Sequence, residues 1–161
     1  MKNIIVHPIP PVYDKNSKVI ILGSFPSVKS RESNFFYGHP QNRFWRVVAS
    51  VFGENAPKTV EEKKKMLLKN NVAVWDVIHS CEISGSADSS IKNVVPNDIG
   101  FIIGESRIDR IFTNGKKADD LYGKYIEEKT GIKAICLPST SPANAAWSIE
   151  RLIEEWMIIK E

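Results

Sequence analysis

The clearest sign of the fold is the segment VIILGSFPS at residues 19–27, an apolar run that ends in small polar residues. Its first four residues are apolar and mostly β-branched, which is typical of a strand buried on both faces of a sheet. Three further runs of this kind follow at residues 72–77, 108–112 and 134–137. The chain therefore carries four candidate buried strands.

Helical patterns follow each of these strands. We predict helices at residues 42–52, 59–70, 96–104, 115–130 and 144–158. Thr59 begins a capping box, Pro96 suits a first helical turn, and Gly131 suits a helix stop. Strands that alternate with helices predict an α/β fold with a mainly parallel sheet that is covered on both faces. The 161 residues fit one domain, which we expect to span the whole chain.

Composition narrows the class of protein without identifying it. The chain is 42% hydrophobic and 25% charged, as ordinary globular domains are. Its formal net charge of +3 permits a nucleic-acid partner but does not require one. Two cysteines without CxxC spacing and three scattered histidines argue against a metal site, so no metal is expected. No segment is long enough to predict a signal peptide or a membrane span, and a reducing, cytoplasmic location is expected.

Polar loops follow the four predicted strands. They lie at residues 23–27, at 79–81 and 85–90 after the second strand, at 113–115 and at 138–142. In a parallel sheet these loops emerge at the same edge, where open α/β sheets bind their ligands. The loops are rich in Ser, Gly and Asn, which offer hydroxyl groups and backbone N–H donors to an anion or a polar ring.

Several common chemistries find little support at this edge. Ser24 follows a strand but is not part of a G-x-S-x-G motif, although a serine hydrolase that uses His39 or His79 stays open as an alternative. Neither of the two glycine-rich nucleotide-binding patterns is present.

The segment NFFYGHPQNRFW at residues 34–45 is dense in aromatic rings and amides. An aromatic ring that stacks on a base, beside an amide that reads its edge, is what a base pocket needs. The same residues also fit a simpler interpretation, in which Phe44 and Trp45 begin a helix in the core and Asn42 caps it.

Taken together, these motifs resemble those of the uracil-DNA glycosylase superfamily. GSFP at residues 23–26 resembles its first motif, and PSTSP at residues 138–142 resembles its second. Ser30 and the run HPQNRFW at residues 39–45 are similar to the mismatch-specific branch. The resemblance spans nearly the whole chain. It implies a three-layer α/β/α fold with a four-stranded sheet, and a monofunctional enzyme that excises a deaminated base from DNA in base excision repair without a cofactor.

Two departures from the family pattern refine this expectation. Phe25 stands where the mismatch-specific branch has its catalytic Asn, and Leu137 stands where related enzymes carry His or Asn. The chain is therefore more similar to the hypoxanthine-DNA glycosylase branch. That resemblance favours hypoxanthine over uracil as the substrate and transfers the catalytic role to Asn42.

The resemblance implies a set of site residues around Asn42, which would donate a hydrogen bond to the leaving base or orient the water. The expected base-binding residues are Gly23, Ser24, Phe25, Tyr37 and Asn114. The expected DNA-binding residues are Pro26, Ser27, Ser30, Arg43, Ser139, Thr140, Ser141 and Pro142.

Several of these roles have a structural alternative. Tyr37 is also explained as a packed aromatic, Asn114 as a turn residue, and residues 138–142 as a turn bounded by proline. Asp88 is a candidate general base or a solvated loop carboxylate, and Asp76 is a candidate for orienting that loop. For the whole chain, the alternative is a DNA- or nucleotide-binding module with weak catalysis. We expect DNA as the partner, no membrane association, and a monomer.

Overall fold

The computed structural model describes residues 4–83 and 91–161 of the chain. The strands in this part are β1 (Ile4–Val6), β2 (Val19–Gly23), β3 (Val72–Asp76), β4 (Ile78–Glu82), β5 (Lys92–Pro96), β6 (Arg110–Asn114) and β7 (Ala134–Leu137). The helices are α1 (Val28–Ser33), α2 (Phe44–Val51), α3 (Val60–Lys69), α4 (Ile99–Gly104), α5 (Lys116–Tyr125), α6 (Glu127–Thr130) and α7 (Ile149–Trp156), followed by a 3₁₀ turn at Met157–Lys160.

The central sheet has four parallel strands in the order β3-β2-β6-β7. These are the four strands that the apolar runs predict, with bounds that shift by up to two residues. The chain passes from β2 to β3 on one side and later returns to place β6 on the other side of β2. The loops after β2 and β6 therefore diverge, and such a switch point is where open α/β sheets bind ligands.

Side chains alternate between the two faces of the sheet along each strand, and both faces carry apolar side chains. Helices therefore pack on both faces. Ile21 of β2 packs into a core formed with α2, α3 and α7. Ile20 and Leu22 face the other way, into a core formed with α4 and α5. The predicted three-layer α/β/α architecture with a four-stranded parallel sheet is confirmed.

The start of α3 agrees with its predicted capping box. The Thr59 side chain accepts a hydrogen bond from the Glu62 N–H, and the Glu62 carboxylate accepts one from the Thr59 N–H. The predicted helix at residues 115–130 is divided into α5 and α6 by Ile126.

Two predicted helix starts are wrong. Pro96 does not begin α4 but ends β5, an edge strand, where its missing N–H costs no ladder hydrogen bond. Asp98 caps α4 instead, with its carboxylate accepting from the Phe101 N–H. The last helix begins at Ile149 rather than at residue 144, because Ser148 caps it.

A second, antiparallel sheet with the order β1-β4-β5 was not predicted from the sequence. β4 follows β3 after one residue, and β1 pairs with it, so that Ile5 lies opposite Cys81. The chain just after β1 is held as well, because the His7 N–H donates to the His79 carbonyl at 2.7 Å. This pairing brings the beginning of the chain to the end of β3. Across residues 4–83 and 91–161, no helix combines the length and apolar character needed to cross a membrane.

Candidate active site

A cavity of about 500 Å³ opens at the carboxyl ends of the parallel strands, beside the switch point between β2 and β6. Its volume is in the range of pockets that hold small organic ligands. The predicted site residues that line it are Gly23, Ser24, Phe25, Pro26, Ser27, Ser30, Tyr37, Asn42, Asn114, Ser139, Thr140, Ser141 and Pro142. The fold therefore brings together the loops after β2, β6 and β7, which are far apart in the sequence.

The amide of Asn42 is held in one orientation by two hydrogen bonds to its oxygen. Oδ1 accepts from the backbone N–H of Phe44 at 2.9 Å and from the Thr140 hydroxyl at 2.8 Å. Since both partners are donors, the atom they meet is the oxygen. The Nδ2 group keeps its two hydrogens, and no described residue accepts them. The Oδ1 atom of Asn42 thus accepts the hydrogen bond of an N–H group at the start of α2, and Nδ2 remains as a donor whose orientation is fixed.

Thr140 connects Asn42 to Asn114 across the cavity wall. Its backbone N–H donates to Asn114 Oδ1 at 3.0 Å, and its Oγ1 accepts from Asn114 Nδ2 at 3.0 Å. A threonine hydroxyl has one hydrogen, which goes to Asn42, so the direction of each bond in this chain is fixed. Asn114 therefore positions the loop after β7, and its predicted role in reading a base stays a prediction.

Arg43 is the one predicted site residue that does not line the cavity. Its guanidinium donates to the backbone carbonyls of Trp147, Ser141 and Asn144, the last two at 3.0 and 3.1 Å. The side chain therefore holds residues 141–147 against the start of α2. The geometry assigns it to positioning this loop, and the predicted contact with DNA has no support from these bonds.

Tyr37 lines the cavity next to the end of β2. Its ring stacks on Phe44 with centroids 4.0 Å apart and an angle of 19° between the planes. Burial raises the pKa of the Tyr37 phenol far above its ordinary value, the Asp76 carboxylate raises it further, and the Asn114 side chain offsets part of the rise. The hydroxyl is therefore protonated at any physiological pH, and Phe44 covers one face of the ring.

Gly23 is needed where β2 ends, because a side chain there has no room. A Cβ at this position would lie 2.4 Å from Asp76 Oδ1 and 3.0 Å from the Tyr37 hydroxyl. The absence of a side chain lets both polar groups approach the same point of the cavity wall.

A buried pair formed by His7 and Asp76 adjoins this point. The sequence suggested Asp76 only as a residue that orients the loop at 85–90, which lies outside the described residues, and it did not predict the pair. His7 Nε2 lies 2.7 Å from Asp76 Oδ2, and the two side chains are 2% and 5% exposed. His7 Nδ1 accepts from the Ile9 N–H at 3.2 Å, so the ring hydrogen is on Nε2 and is donated to the carboxylate. Asp76 lines the cavity. The only sequence signal was an acidic residue at the end of an apolar run; nothing local indicates His7.

Comparison with known proteins places this site in a family. The family model described as the uracil DNA glycosylase superfamily matches residues 10–159. The chain belongs to this superfamily. The predicted family and the predicted enzyme class, a DNA glycosylase, are thereby confirmed.

Individual relatives of this superfamily agree with the match. The chain is 38% identical over 151 residues to the hypoxanthine DNA glycosylase of Methanosarcina acetivorans, covering 91% of this chain and 92% of the relative. It is 32% identical over 139 residues to the enzyme of the same name from Methanosarcina barkeri, covering 84% and 85%. The NMR structure of a candidate uracil DNA glycosylase from Methanosarcina acetivorans superposes with a TM-score of 0.82 at 34% identity and 97% coverage of both chains.

The residues that depart from the superfamily pattern have defined places in the fold. Phe25 lines the cavity, and its ring meets the His7 ring edge-on at a centroid distance of 5.9 Å. Leu137 is buried in the core beneath α7. Ser24 lines the cavity, but no described histidine or carboxylate bonds to its hydroxyl, so the serine hydrolase alternative gains no support. Asp88 lies outside the described residues.

Hydroxyl groups and cations surround the mouth of the cavity. Ser27 caps α1 by accepting from the Ser30 N–H, and Ser30 accepts from the Gly38 N–H at 2.9 Å. Neither α1 nor the cationic residues of this rim was predicted from the sequence. The rim cations are Lys29, Arg31, Lys116 and Lys117.

Proposed function

We propose that this chain is a DNA glycosylase that removes hypoxanthine from DNA and accepts uracil less well. The observation that carries the proposal is the fixed Asn42 amide, whose donor group has no described partner in a cavity of suitable size. The two relatives named hypoxanthine DNA glycosylase support the choice of base.

The reaction is hydrolysis of the bond between N9 of the base and C1′ of its sugar. As this bond breaks, its electron pair leaves with the base, and the sugar becomes positively charged in the manner of an oxocarbenium ion. Water adds to C1′ and loses a proton to solvent, while the departing base gains one. The products are free hypoxanthine and an abasic site. Atoms and charges balance without a redox partner, so the proposed reaction needs no cofactor.

Asn42 is the proposed catalytic residue because it can stabilise the negative charge that builds up on the base. Its Nδ2 group is held before the substrate arrives, so no reorganisation is needed during the reaction. A single donor of this kind contributes about 3 kcal/mol to transition-state stabilisation.

Entry of the base requires that the nucleotide leave the double helix. We propose that the base stacks on the face of Tyr37 opposite Phe44, with the backbone of Gly23, Ser24 and Phe25 below it. Stacking on an aromatic ring contributes about 1–3 kcal/mol per base and offsets part of the cost of flipping.

The remaining predicted residues would hold the DNA. Ser27 and Ser139 would bind phosphates, which carry no sequence information. Ser30 is buried and its N–H and hydroxyl bond to Ser27 and Gly38, so it would support this loop rather than contact DNA.

Ser141 and Pro142 would fill the gap left by the base, whereas Thr140 is buried and holds Asn42 and Asn114. We propose that the chain acts as a single-domain monomer on cytoplasmic DNA.

The test is a cleavage assay on otherwise identical duplexes that contain deoxyinosine, deoxyuridine or deoxyxanthosine. We expect alkali-sensitive abasic sites with deoxyinosine at the highest rate. Abasic sites in none of the three duplexes would contradict the proposal. Tight binding to the deoxyinosine duplex without cleavage would favour the binding module instead.

A further inference from the structure

Arg31 differs from the lysines at the mouth of the cavity. Lys29 is exposed, and its Nζ lies 3.7 Å from the carboxylate of Glu32 in the same helix. Lys116 is also exposed, and its Nζ lies 3.4 Å from the carboxylate of Asp120 one helical turn away. Arg31 is half-buried, and no carboxylate in the described part of the chain forms an ion pair with it. Within the described residues, the positive charge of Arg31 therefore has no counter-charge beside it.

The Arg31 guanidinium lies over the Phe25 ring. Its Cζ is 5.8 Å from the ring centroid, and both residues line the cavity. Arg31 Nε is buried, and no described residue accepts its hydrogen. A guanidinium has five N–H groups and no acceptor, and a buried donor that stays unpaired is destabilising. This wall of the cavity therefore favours a ligand that brings acceptors.

The helix that carries Arg31 is fixed to the cavity wall. The Arg31 N–H donates to the Ser27 carbonyl at 2.9 Å. The Ser30 hydroxyl accepts from the Gly38 N–H at 2.9 Å, and a Cβ at Gly38 would lie only 3.2 Å from Ser30 Cα. α1 is therefore packed against the segment that carries Tyr37, the ring on which the base is proposed to stack. The donors of Arg31 are held beside that place before the base arrives.

A deaminated purine presents the acceptors that this group needs. Hypoxanthine carries O6 and N7 side by side, the two acceptors to which an arginine fork donates in parallel. Adenine keeps N7 but has an amino group in place of O6, and uracil has a carbon where a purine has N7. We propose that Arg31 donates to O6 and N7 of the flipped base and so favours a deaminated purine over both adenine and uracil. The inference rests on the proposed function, because it requires a flipped base in this cavity.

The contact also favours cleavage of the bond to the sugar. Part of the negative charge on the departing base spreads to N7 and O6, and a guanidinium at these atoms stabilises it. Asn42 keeps its proposed role, at another atom of the base or at the water. Guanine presents the same two acceptors, so Arg31 does not reject it. Guanine is protected by its pair with cytosine, because a paired base is harder to flip than a mismatched one.

Replacement of one atom of the base tests the inference. The experiment measures dissociation constants for two duplexes that differ only in one non-cleavable 2′-fluoroarabino nucleotide, which carries hypoxanthine or 7-deazahypoxanthine. The second base has a C–H group in place of N7 and nearly the same shape. We expect the unmodified chain to bind the hypoxanthine duplex about ten-fold more tightly, as loss of one charge-assisted hydrogen bond implies. Equal affinities of the unmodified chain for the two duplexes would overturn the inference.

Arg31→Met removes every donor but keeps an unbranched side chain that can pack on Phe25. We expect this variant to lose the preference for hypoxanthine over 7-deazahypoxanthine. Arg107→Met is the matched control. It makes the same change at an exposed residue just before β6, at the edge of the sheet away from the cavity, and it should keep the preference. Equal weakening of both duplexes by Arg31→Met, with the preference unchanged, would assign Arg31 to a phosphate and overturn the inference.

Arg31→Lys is the second variant, since it keeps the charge but lacks the planar fork. We expect it to weaken the preference while the dependence of affinity on salt concentration stays that of the unmodified chain. A full preference in this variant would overturn the inference, because a point charge would then be sufficient.

Cleavage of the ordinary deoxyinosine duplex, measured in parallel, separates this inference from the proposed function. Cleavage by the unmodified chain, with a preference that Arg31→Met leaves unchanged, would overturn the inference alone. A preference that depends on Arg31 without any cleavage would support the inference and contradict the proposed function.

Discussion

At the scale of single residues, the Asn42 amide combines a structural task with the proposed catalytic one, although the sequence presented the two as alternatives. The oxygen of its amide satisfies the Phe44 N–H at the start of α2, as a cap would. The nitrogen of the same amide stays available in the cavity. The structural task therefore does not compete with the proposed catalytic one, because it is what fixes the orientation of the donor.

This division gives a prediction that separates the two tasks. Asn42→Asp keeps an acceptor for Phe44 and for Thr140 but replaces the donor with a second oxygen. We expect the excision rate on deoxyinosine DNA to fall by about a hundred-fold or more, since one preorganised donor is lost. The thermal unfolding midpoint should change little.

Asn42→Ala is the comparison, because it removes both atoms. It should lose activity to a similar degree and also lose about 1 kcal/mol of stability with the cap. An Asn42→Asp variant that excises hypoxanthine as fast as the unmodified chain would contradict the assigned role.

The residues of the site differ in how far the sequence could reveal them. Asn42 and Tyr37 were predictable because they stand in one continuous motif that follows a recognisable strand. His7 was not, because it contacts Asp76 across 69 positions and through an antiparallel sheet with no local signal. Arg43 was assigned to DNA through the family resemblance, because its three carbonyl partners cannot be seen in the sequence.

At the scale of elements, the loop after β7 depends on α2 for its position. The Arg43 N–H donates to the Thr140 carbonyl at 3.1 Å, and the Arg43 guanidinium holds residues 141–147. The run at residues 39–45 and the loop after β7 are therefore held together as one unit. A disturbance of this contact should reach the site without any change to a residue that lines the cavity.

Arg43→Lys tests this dependence. A lysine is a point charge and does not reproduce the planar fork that reaches three carbonyls, so at least one carbonyl loses its partner. We expect a loss of about 1–3 kcal/mol in the free energy of unfolding. The KM for deoxyinosine DNA should rise more than kcat falls, because the loop is loosened while Asn42 stays in place.

Arg151→Lys is the matched control for this substitution. Arg151 is exposed and lies over the Trp147 ring at 4.1 Å, a contact that lysine can also make. Its stability and KM should stay close to those of the unmodified chain. Equal effects of the two substitutions would contradict the role of Arg43.

Helix boundaries show why elements are easier to predict than their ends. Pro96 fits both the first turn of a helix and the end of an edge strand, because its fixed φ suits both. β5 is a strand because it pairs with β4, and this pairing cannot be seen in the sequence around Pro96. Ser148 and Asp98 cap the observed helices. The predicted helices began too early because each was started at a residue before its cap.

At the scale of the whole molecule, the parallel sheet was predictable and the antiparallel sheet was not. The parallel strands β2, β3 and β6 are largely buried on both faces and therefore read as apolar runs. The edge strand β7 is also an apolar run, although Ile135 and Cys136 are exposed. The strands of the small sheet alternate and are partly exposed, with Ile4 and Val6 among the exposed side chains. Once the parallel strands are predicted, the polar loops that follow them must lie together at the carboxyl ends of the strands. Most residues that line the cavity could be predicted for this reason.

The positions of the charged residues, rather than the net charge, indicate where DNA would bind. A net charge of +3 is small, but Lys29, Arg31, Lys116 and Lys117 border one cavity. Cations at the mouth of a DNA-binding cavity are expected to contact phosphates, which contribute affinity without sequence preference.

The double variant Lys116→Ala, Lys117→Ala tests this arrangement. We expect weaker binding to all duplexes alike, and a plot of log affinity against log salt concentration that is shallower by about 1–2, close to 0.9 per lost phosphate contact. The excision rate at saturating enzyme should not change, since neither lysine contacts the Asn42 amide. Lys129→Ala, Lys133→Ala is the control, because these exposed lysines precede β7 at the opposite edge of the sheet. An equal change of slope in both double variants would show that net charge, rather than its placement at the cavity, governs binding to DNA.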